Sequence, residues 1–155
     1  MYEKILVPLD GSKVGESVLP YVEDLVSKLS PEVKAEVTLF QSLSPAQPRT
    51  VSGREVPDVA YARKEMEDNQ KKAMDYLNKA GEALKSKGVT VMAKVGVGDD
   101  AAEEIVKAAE EIRVDLIAMS THGRSGISRL AFGSVADKVL RRGTKVPILM
   151  VRATS

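Results

Sequence analysis

The chain has 155 residues, 43% of them apolar and 29% charged, with a net charge of +1, which is the length of one domain and the balance of a globular protein. It has no cysteine and one histidine, which excludes disulfides, thiolate metal sites and cysteine nucleophiles and argues against a zinc or iron site. No apolar run approaches about 18 residues and the first residues, MYEKI, do not form a signal peptide, so the expectation is a cytoplasmic protein without a membrane span.

Lys4 to Leu9 (KILVPL) is a near-continuous apolar run and predicts a strand buried on both faces, ending where Pro8 cannot donate to a ladder. Asp10-Gly11-Ser12 is a turn, with Ser12 as the N-cap of a helix. That helix carries Val14, Val18, Leu19, Val22, Leu25, Val26 and Leu29 on one face, and Pro20 should kink it or make its first turns irregular. Ser30-Pro31 closes it.

Ala35 to Ser42 predicts a second strand. Residues 43–60 hold three prolines, a glycine and no periodicity, and predict a long mobile surface loop. Tyr61 to Lys87 is expected as the longest helix, with Met66, Ala73, Met74, Leu77, Ala80 and Leu84 inward and Gly88 as its stop. Val89 to Val95 is a third strand. The next helix carries Ala102, Ile105, Val106, Ala109 and Ile112, and Asp100 with Glu103 resembles a capping box. A fourth strand (Asp115 to Met119), a short helix (Ser134 to Arg142) and a fifth strand (Pro147 to Val151) follow.

Strands alternating with helices predict an α/β fold. It is a single-domain (1–155) open parallel five-stranded sheet with helices on both faces, for which the order 3-2-1-4-5 is favoured. Strands one and four are then neighbours at the point where the winding reverses. Ligands of such sheets bind at the carboxyl ends of the strands there. The ends in question are Pro8-Leu9-Asp10 and Met119-Ser120.

The segment leaving Met119 points to the same crevice. MSTHGRSGISRLAFGSV, Met119 to Val135, joins a buried strand to a helix through three glycines, four hydroxyl residues from Ser120 to Ser128, two arginines and the one histidine. Strand, glycine-rich loop and helix N-terminus is an arrangement that binds phosphate: the backbone can approach closely, the first helical N–H groups are unpaired and the dipole favours an anion. Charge agrees. Residues 1–119 carry a balance of −5, whereas residues 120–155 hold seven basic residues and one acid, a balance of +6. Arg141 and Arg142 are the exceptions, because they sit in a last helical turn, where cations belong in any case.

Asp10 is the one carboxylate expected near the crevice. It either accepts ribose hydroxyls, or helps to hold Mg²⁺ through water, or forms an Asx turn with the following backbone. Ser42 either borders the base side of the crevice or caps a strand end, and Ser134 either meets phosphate or caps its helix. His122 has no carboxylate beside it and is read as shaping the loop. Gly96-Val-Gly98-Asp-Asp-Ala101, with Asp115 beyond, fits a dinucleotide fingerprint. It lies on the wrong strand, and Asp99 and Asp100 would repel a pyrophosphate, so it is set aside. There is no phosphate-binding G-x-x-x-x-G-K-[ST] loop, no catalytic triad or carboxylate pair, and no interleaving of aromatic and basic residues for nucleic acid. No catalytic residue is assigned.

These residues together resemble the universal stress protein family, over nearly the whole chain. The likeness begins with Lys4-Ile-Leu-Val-Pro-Leu-Asp10-Gly-Ser12 and is strongest from Ile117 to Arg152. The family's nucleotide signature is Gly, two residues, Gly, nine residues, then Gly-Ser or Gly-Thr; here Gly123, nine residues and Gly133-Ser134 match, and Ser120 replaces the first glycine. The resemblance implies the adenine nucleotide alpha hydrolase-like sheet order 3-2-1-4-5. It implies ATP as cofactor and a homodimer through the fifth strand, Pro147 to Val151; AMP or ADP stays open as the nucleotide, and Mg²⁺ rests on the reading of Asp10 above. By position it places Pro8, Asp10 and Ser42 at base and ribose. Met119, Ser120, Gly123, Arg124, Ser125 and Gly126 would lie around ribose and phosphates, with Gly133, Ser134 and Val135 as phosphate donors. The implied function is a nucleotide-binding regulator in stress response. The alternatives are a slow ATP hydrolase or autophosphorylating enzyme, and an interaction module without nucleotide. At Ser120 the hydroxyl either bonds the ligand or merely adds bulk where glycine permits close approach.

Overall fold

The computed structural model describes residues 2–47, 49–51, 54–56, 58–121 and 133–153, with segments 49–51 and 54–56 traced through their backbone. Five parallel strands form one sheet: β1 (Lys4–Pro8), β2 (Glu36–Leu43), β5 (Thr90–Val97), β6 (Leu116–Thr121) and β7 (Ile148–Arg152). Their order is β5-β2-β1-β6-β7, the expected 3-2-1-4-5 once a separate hairpin is set apart.

Strand alternation divides the core. Ile5, Val7 and Leu9 of the first strand, Val37 and Leu39 of the second, and Leu116 and Ala118 of β6 pack on one face. They meet Val18 and Val22, and Leu77 and Leu84, from α2 (Leu19–Ser27) and its entry, α3 (Val59–Ala80) and α4 (Glu82–Ser86). Leu6, Phe40, Ile117 and Met119 point to the opposite face, against Ala102, Ile105, Ala108 and Ala109 of α5 (Ala101–Ile112) and Ala136 and Val139 of α6 (Ser134–Arg141). Each Leu, Ile or Phe buried in this way contributes about 1.5–3 kcal/mol. Two buried faces explain why the central strands read as unbroken apolar runs rather than alternating ones.

Several local expectations hold. Ser12 caps α1 (Lys13–Glu16), its side chain accepting from Gly15 N–H; Asp100 caps α5, accepting from Ala102 N–H; and Gly88, at φ +82°, follows α4 in the left-handed region. Pro20 does interrupt its helix. The chain makes the single turn of α1, bends at Ser17-Val18 and restarts as α2 with the proline in its first turn, where its missing N–H is harmless.

Others are corrected. Residues 43–60 are not wholly loop: β3 (Arg49–Val51) and β4 (Arg54–Val56) pair antiparallel, with Val51 opposite Arg54. Three-residue strands are too short to show a period, and the flanking prolines hid them. The helix expected over Tyr61 to Lys87 begins at Val59 and divides at Gly81 into α3 and α4. Val14 does not face the core; it is 38% exposed.

Candidate functional site

The site begins with a proline. Leu9 N–H donates to Phe40 O at 2.8 Å, so the amide of Leu9 faces β2. Amides alternate along a strand, which turns the nitrogen of Pro8, with no hydrogen to give, toward β6. The ladders reflect this. β1 and β2 stay in register through Pro8↔Phe40, but β1 and β6 are registered only at Ile5↔Leu116 and Leu6↔Ile117. From there to its end β6 pairs with β7 alone, from Ala118↔Leu149 to Thr121↔Arg152. The two strands at which the winding reverses therefore part at their carboxyl ends.

A cavity of about 210 Å³ occupies this region. Its floor comes from Pro8, Leu9, Phe40, Met119 and Ile105, and its rim from Asp10, Val14, Gly15, Gln41, Ser42, Ala101, Ser120 and Gly133 to Ala136. Eight residues singled out from the sequence are thus brought together: Pro8, Asp10, Ser42, Met119, Ser120, Gly133, Ser134 and Val135. Gly123, Arg124, Ser125, Gly126 and His122 lie outside the described residues. Sequence reasoning missed Val14, Gly15, Phe40, Gln41, Ala101 and Ile105 as lining residues. They carry no signal beyond ordinary core or helix patterning.

Asp10 makes the Asx turn: Ser12 N–H donates to its Oδ1 at 2.9 Å, and Ser12 Oγ–H donates to the same oxygen. Gly11, at φ +85°, makes the turn possible. Asp10 is exposed and is the one carboxylate among the described lining residues. No group of three or more His, Cys, Asp or Glu suited to a metal occurs among the described residues.

Across the cavity, α6 starts with Gly133 as its N-cap, and among the described residues no side chain caps its amides. Ser134 is therefore not the cap; it is the first helical residue. The free N–H groups and the dipole make this end attractive to an anion. Ser120 is already engaged: its Oγ–H donates to Gly15 O at 2.9 Å, and it lies 3.0 Å from Ser17 Oγ. The Oε1 of Gln41 is buried without a hydrogen-bond partner among the described residues.

Two flanking groups complete the electrostatics. The phenol of Tyr76, on α3, is pushed up to about 12 by burial first, then by the carboxylates of Glu16 and Asp10. Its hydroxyl has no hydrogen bond of ordinary geometry among the described residues. Arg142, just past α6, pairs with Asp100 at the start of α5, and this bond holds the Asp100 carboxyl below the usual carboxylate range. The pair clasps two helices whose N-terminal residues both border the cavity.

The fingerprint at Gly96 and Gly98 is filled. A β-carbon on Gly96 would stand 2.7 Å from the Phe40 ring, and one on Gly98 2.5 Å from Glu104 Oε1. These glycines seat a core ring and a carboxylate, the opposite of a pyrophosphate site.

A parallel α/β sheet with a ligand-sized crevice at its switch point defines the class. The chain belongs to the universal stress protein family, whose sequence profile matches residues 1–152. It is 30% identical to the universal stress protein MJ0577 of Methanocaldococcus jannaschii over 98% of this chain and 96% of that protein. The solved structure of MJ0577 superposes with a TM-score of 0.73, covering 100% of this chain and 99% of that one at 27% identity. Two more distant structures share the fold. One is a universal stress protein in complex with cAMP (TM-score 0.64, 21% identity, 99% and 98% of the two chains). The other is a family member from Arabidopsis thaliana with AMP bound (TM-score 0.62, 14% identity, 98% and 92%). Among the described residues no helix is long and apolar enough to cross a membrane.

Proposed function

We propose that this protein is a nucleotide-binding regulator that takes ATP into the cavity at the carboxyl ends of β1 and β6 and acts in the cytoplasmic stress response. One observation carries the reading: the amide end of α6, which no side chain among the described residues caps, and the carboxylate of Asp10 border the same crevice. A polyphosphate satisfies the first and ribose hydroxyls satisfy the second. Phe40, Met119 and Ile105 offer the apolar surface an adenine needs, and the unpartnered Oε1 of Gln41 is an acceptor that an exocyclic amine can use. The residues present therefore fit the nucleotide. The adenine choice draws on the cAMP and AMP held by the two distant relatives.

In this reading Pro8, Ser42 and Met119 flank base and ribose, and Gly133, Ser134 and Val135 donate to phosphate. Gly123, Arg124, Ser125 and Gly126, outside the described residues, are assigned to ribose and phosphates by the family resemblance alone. Mg²⁺ is held by the phosphates and, through water, by Asp10. Binding rather than turnover is the role, since Asp10, the one carboxylate among the described lining residues, is bonded at Oδ1 by Ser12. A homodimer forms through β7, an edge strand with β6 as its one neighbour in the sheet.

Heat release from purified protein, read by mass spectrometry, and calorimetry with ATP, ADP, AMP and cAMP test this. Adenine nucleotide in the supernatant and saturable one-site binding, weakened by salt, are expected. A blank supernatant with no heat from any of the four, with or without Mg²⁺, overturns it.

A further inference from the structure

Helix α1 has four residues, and none of its side chains is buried. Val18 beyond it is buried, but Lys13–Glu16 has no apolar anchor of its own. Yet Val14 and Gly15 form a wall of the cavity. What fixes that wall is polar. At its front, Ser12 Oγ accepts from Gly15 N–H at 3.0 Å. At its back are two serines. Ser120 Oγ–H donates to Gly15 O, one of the carbonyls at a helix end that lack an intrahelical partner. Ser17, the C-cap, has its Oγ 2.7 Å from Val14 O and 3.0 Å from Ser120 Oγ.

Ser120 reaches α1 because of its place on β6. It shares the strand face of Leu116 and Ala118, while Ile117 and Met119 turn to α5 and α6. A glycine there, as in the family signature, has no hydroxyl with which to reach Gly15.

We propose that Ser17 and Ser120 form a latch that positions α1 as the cavity wall, and that the serine at 120 sets nucleotide affinity by holding this wall rather than by touching the ligand. The proposal rests on the nucleotide reading above. An unlatched α1 occupies its wall position in only a fraction of molecules, and apparent affinity falls by that fraction. Loss of a hydrogen bond of this kind corresponds to a weakening of roughly three- to tenfold.

The test uses Ser17→Ala, Ser120→Ala and the double variant, with amide hydrogen exchange on ligand-free protein and ATP calorimetry. Faster exchange confined to residues 14–18, at unchanged melting temperature, is expected for each single variant, with ATP binding weakened about three- to tenfold. The double variant should be no worse than the weaker single one, because the pair acts as a unit. Ser17 does not line the cavity, so weakened binding in Ser17→Ala cannot come from a lost ligand contact. Unchanged exchange in both single variants overturns the latch. So does weakened binding in Ser120→Ala with Ser17→Ala unaffected, which would make the Ser120 hydroxyl a direct ligand contact. Wild-type protein that binds no adenine nucleotide overturns the functional reading instead, and the exchange data alone then decide whether the pair holds α1.

Discussion

A β-carbon on Gly15 would stand 2.7 Å from Asp10 Oδ1 and 3.3 Å from Ser12 Oγ. Gly15 is thus bare because the Asx turn of Asp10 occupies the space beside it. Gly15→Ala sets two effects against each other. Alanine is favoured over glycine in a helix by about 1 kcal/mol. The methyl group, however, must push away a carboxylate held by two hydrogen bonds from Ser12. Near-cancellation in stability is expected, within about 1 kcal/mol by urea denaturation. If Asp10 receives the ribose as proposed, nucleotide affinity should fall about tenfold by calorimetry. Full affinity in Gly15→Ala would show that the position of Asp10 does not matter to the ligand.

Gly81 marks a close approach of helix and sheet. A β-carbon there would lie 2.9 Å from Val91 Cγ1 and 3.2 Å from Leu39 Cδ1. This contact explains why a glycine stands where the long helix divides. Gly81→Val forces two branched methyls into a filled core, and a loss of about 1–3 kcal/mol is expected. Chemical denaturation measures it directly. A neutral result would mean that α4 moves freely off β5.

The parallel sheet was legible from alternation and right-handed crossovers, which leave few strand orders; the order itself came in part from the family resemblance, and the caps at Ser12 and Asp100 and the stop at Gly88 are local rules. Pro8 was legible as a strand end. Its consequence, an opening between β1 and β6, needed the neighbour order. What stayed hidden depends on contacts across the chain. Gly15 was passed over, because the carboxylate it accommodates comes from the preceding turn. Phe40 and Ile105 read as core and prove to floor the cavity as well. The link from Ser120 to Ser17 joins residues 103 apart, which no sequence period encodes. The G-x-G-x-x-A run, set aside on charge and strand position, is used for packing by Phe40 and Glu104.

Arg142 and Asp100 make a pH-dependent clasp. The guanidinium lowers the Asp100 carboxyl below its ordinary value of 3.8; desolvation opposes it, and the backbone amides of Ala102 and Glu103 add to the lowering. A depressed folded-state value means that the contribution is present above the unfolded value and is lost as pH falls through the folded one. Arg142→Ala should raise the Asp100 titration midpoint toward 3.8, followed by carbon NMR of the carboxyl. The stability difference between variant and wild type should be present at neutral pH and vanish under strong acid. A difference that persists there would assign the effect of Arg142 to packing of its stem.

Tyr76 works in the opposite pH range. Burial first, then Glu16 and Asp10, raise its phenol from 10.0 to about 12. The folded protein therefore keeps this proton after an unfolded chain has lost it, so stability falls as pH rises through the window between these two values. At neutral pH the hydroxyl is buried beside Glu16 and Gly11 without a hydrogen bond of ordinary geometry among the described residues, and a buried hydroxyl left unsatisfied costs about 1–3 kcal/mol where no water reaches it. Tyr76→Phe removes it while keeping the ring against Val37, Leu39 and their neighbours. The variant should be as stable as wild type or more so at pH 7. Its urea midpoint should fall less steeply on the alkaline side, and its ultraviolet titration should lack the latest phenolate step. A clear loss of stability at pH 7 would show instead that the hydroxyl supports the turn of Gly11 and Glu16, making α3 part of the framework that holds Asp10.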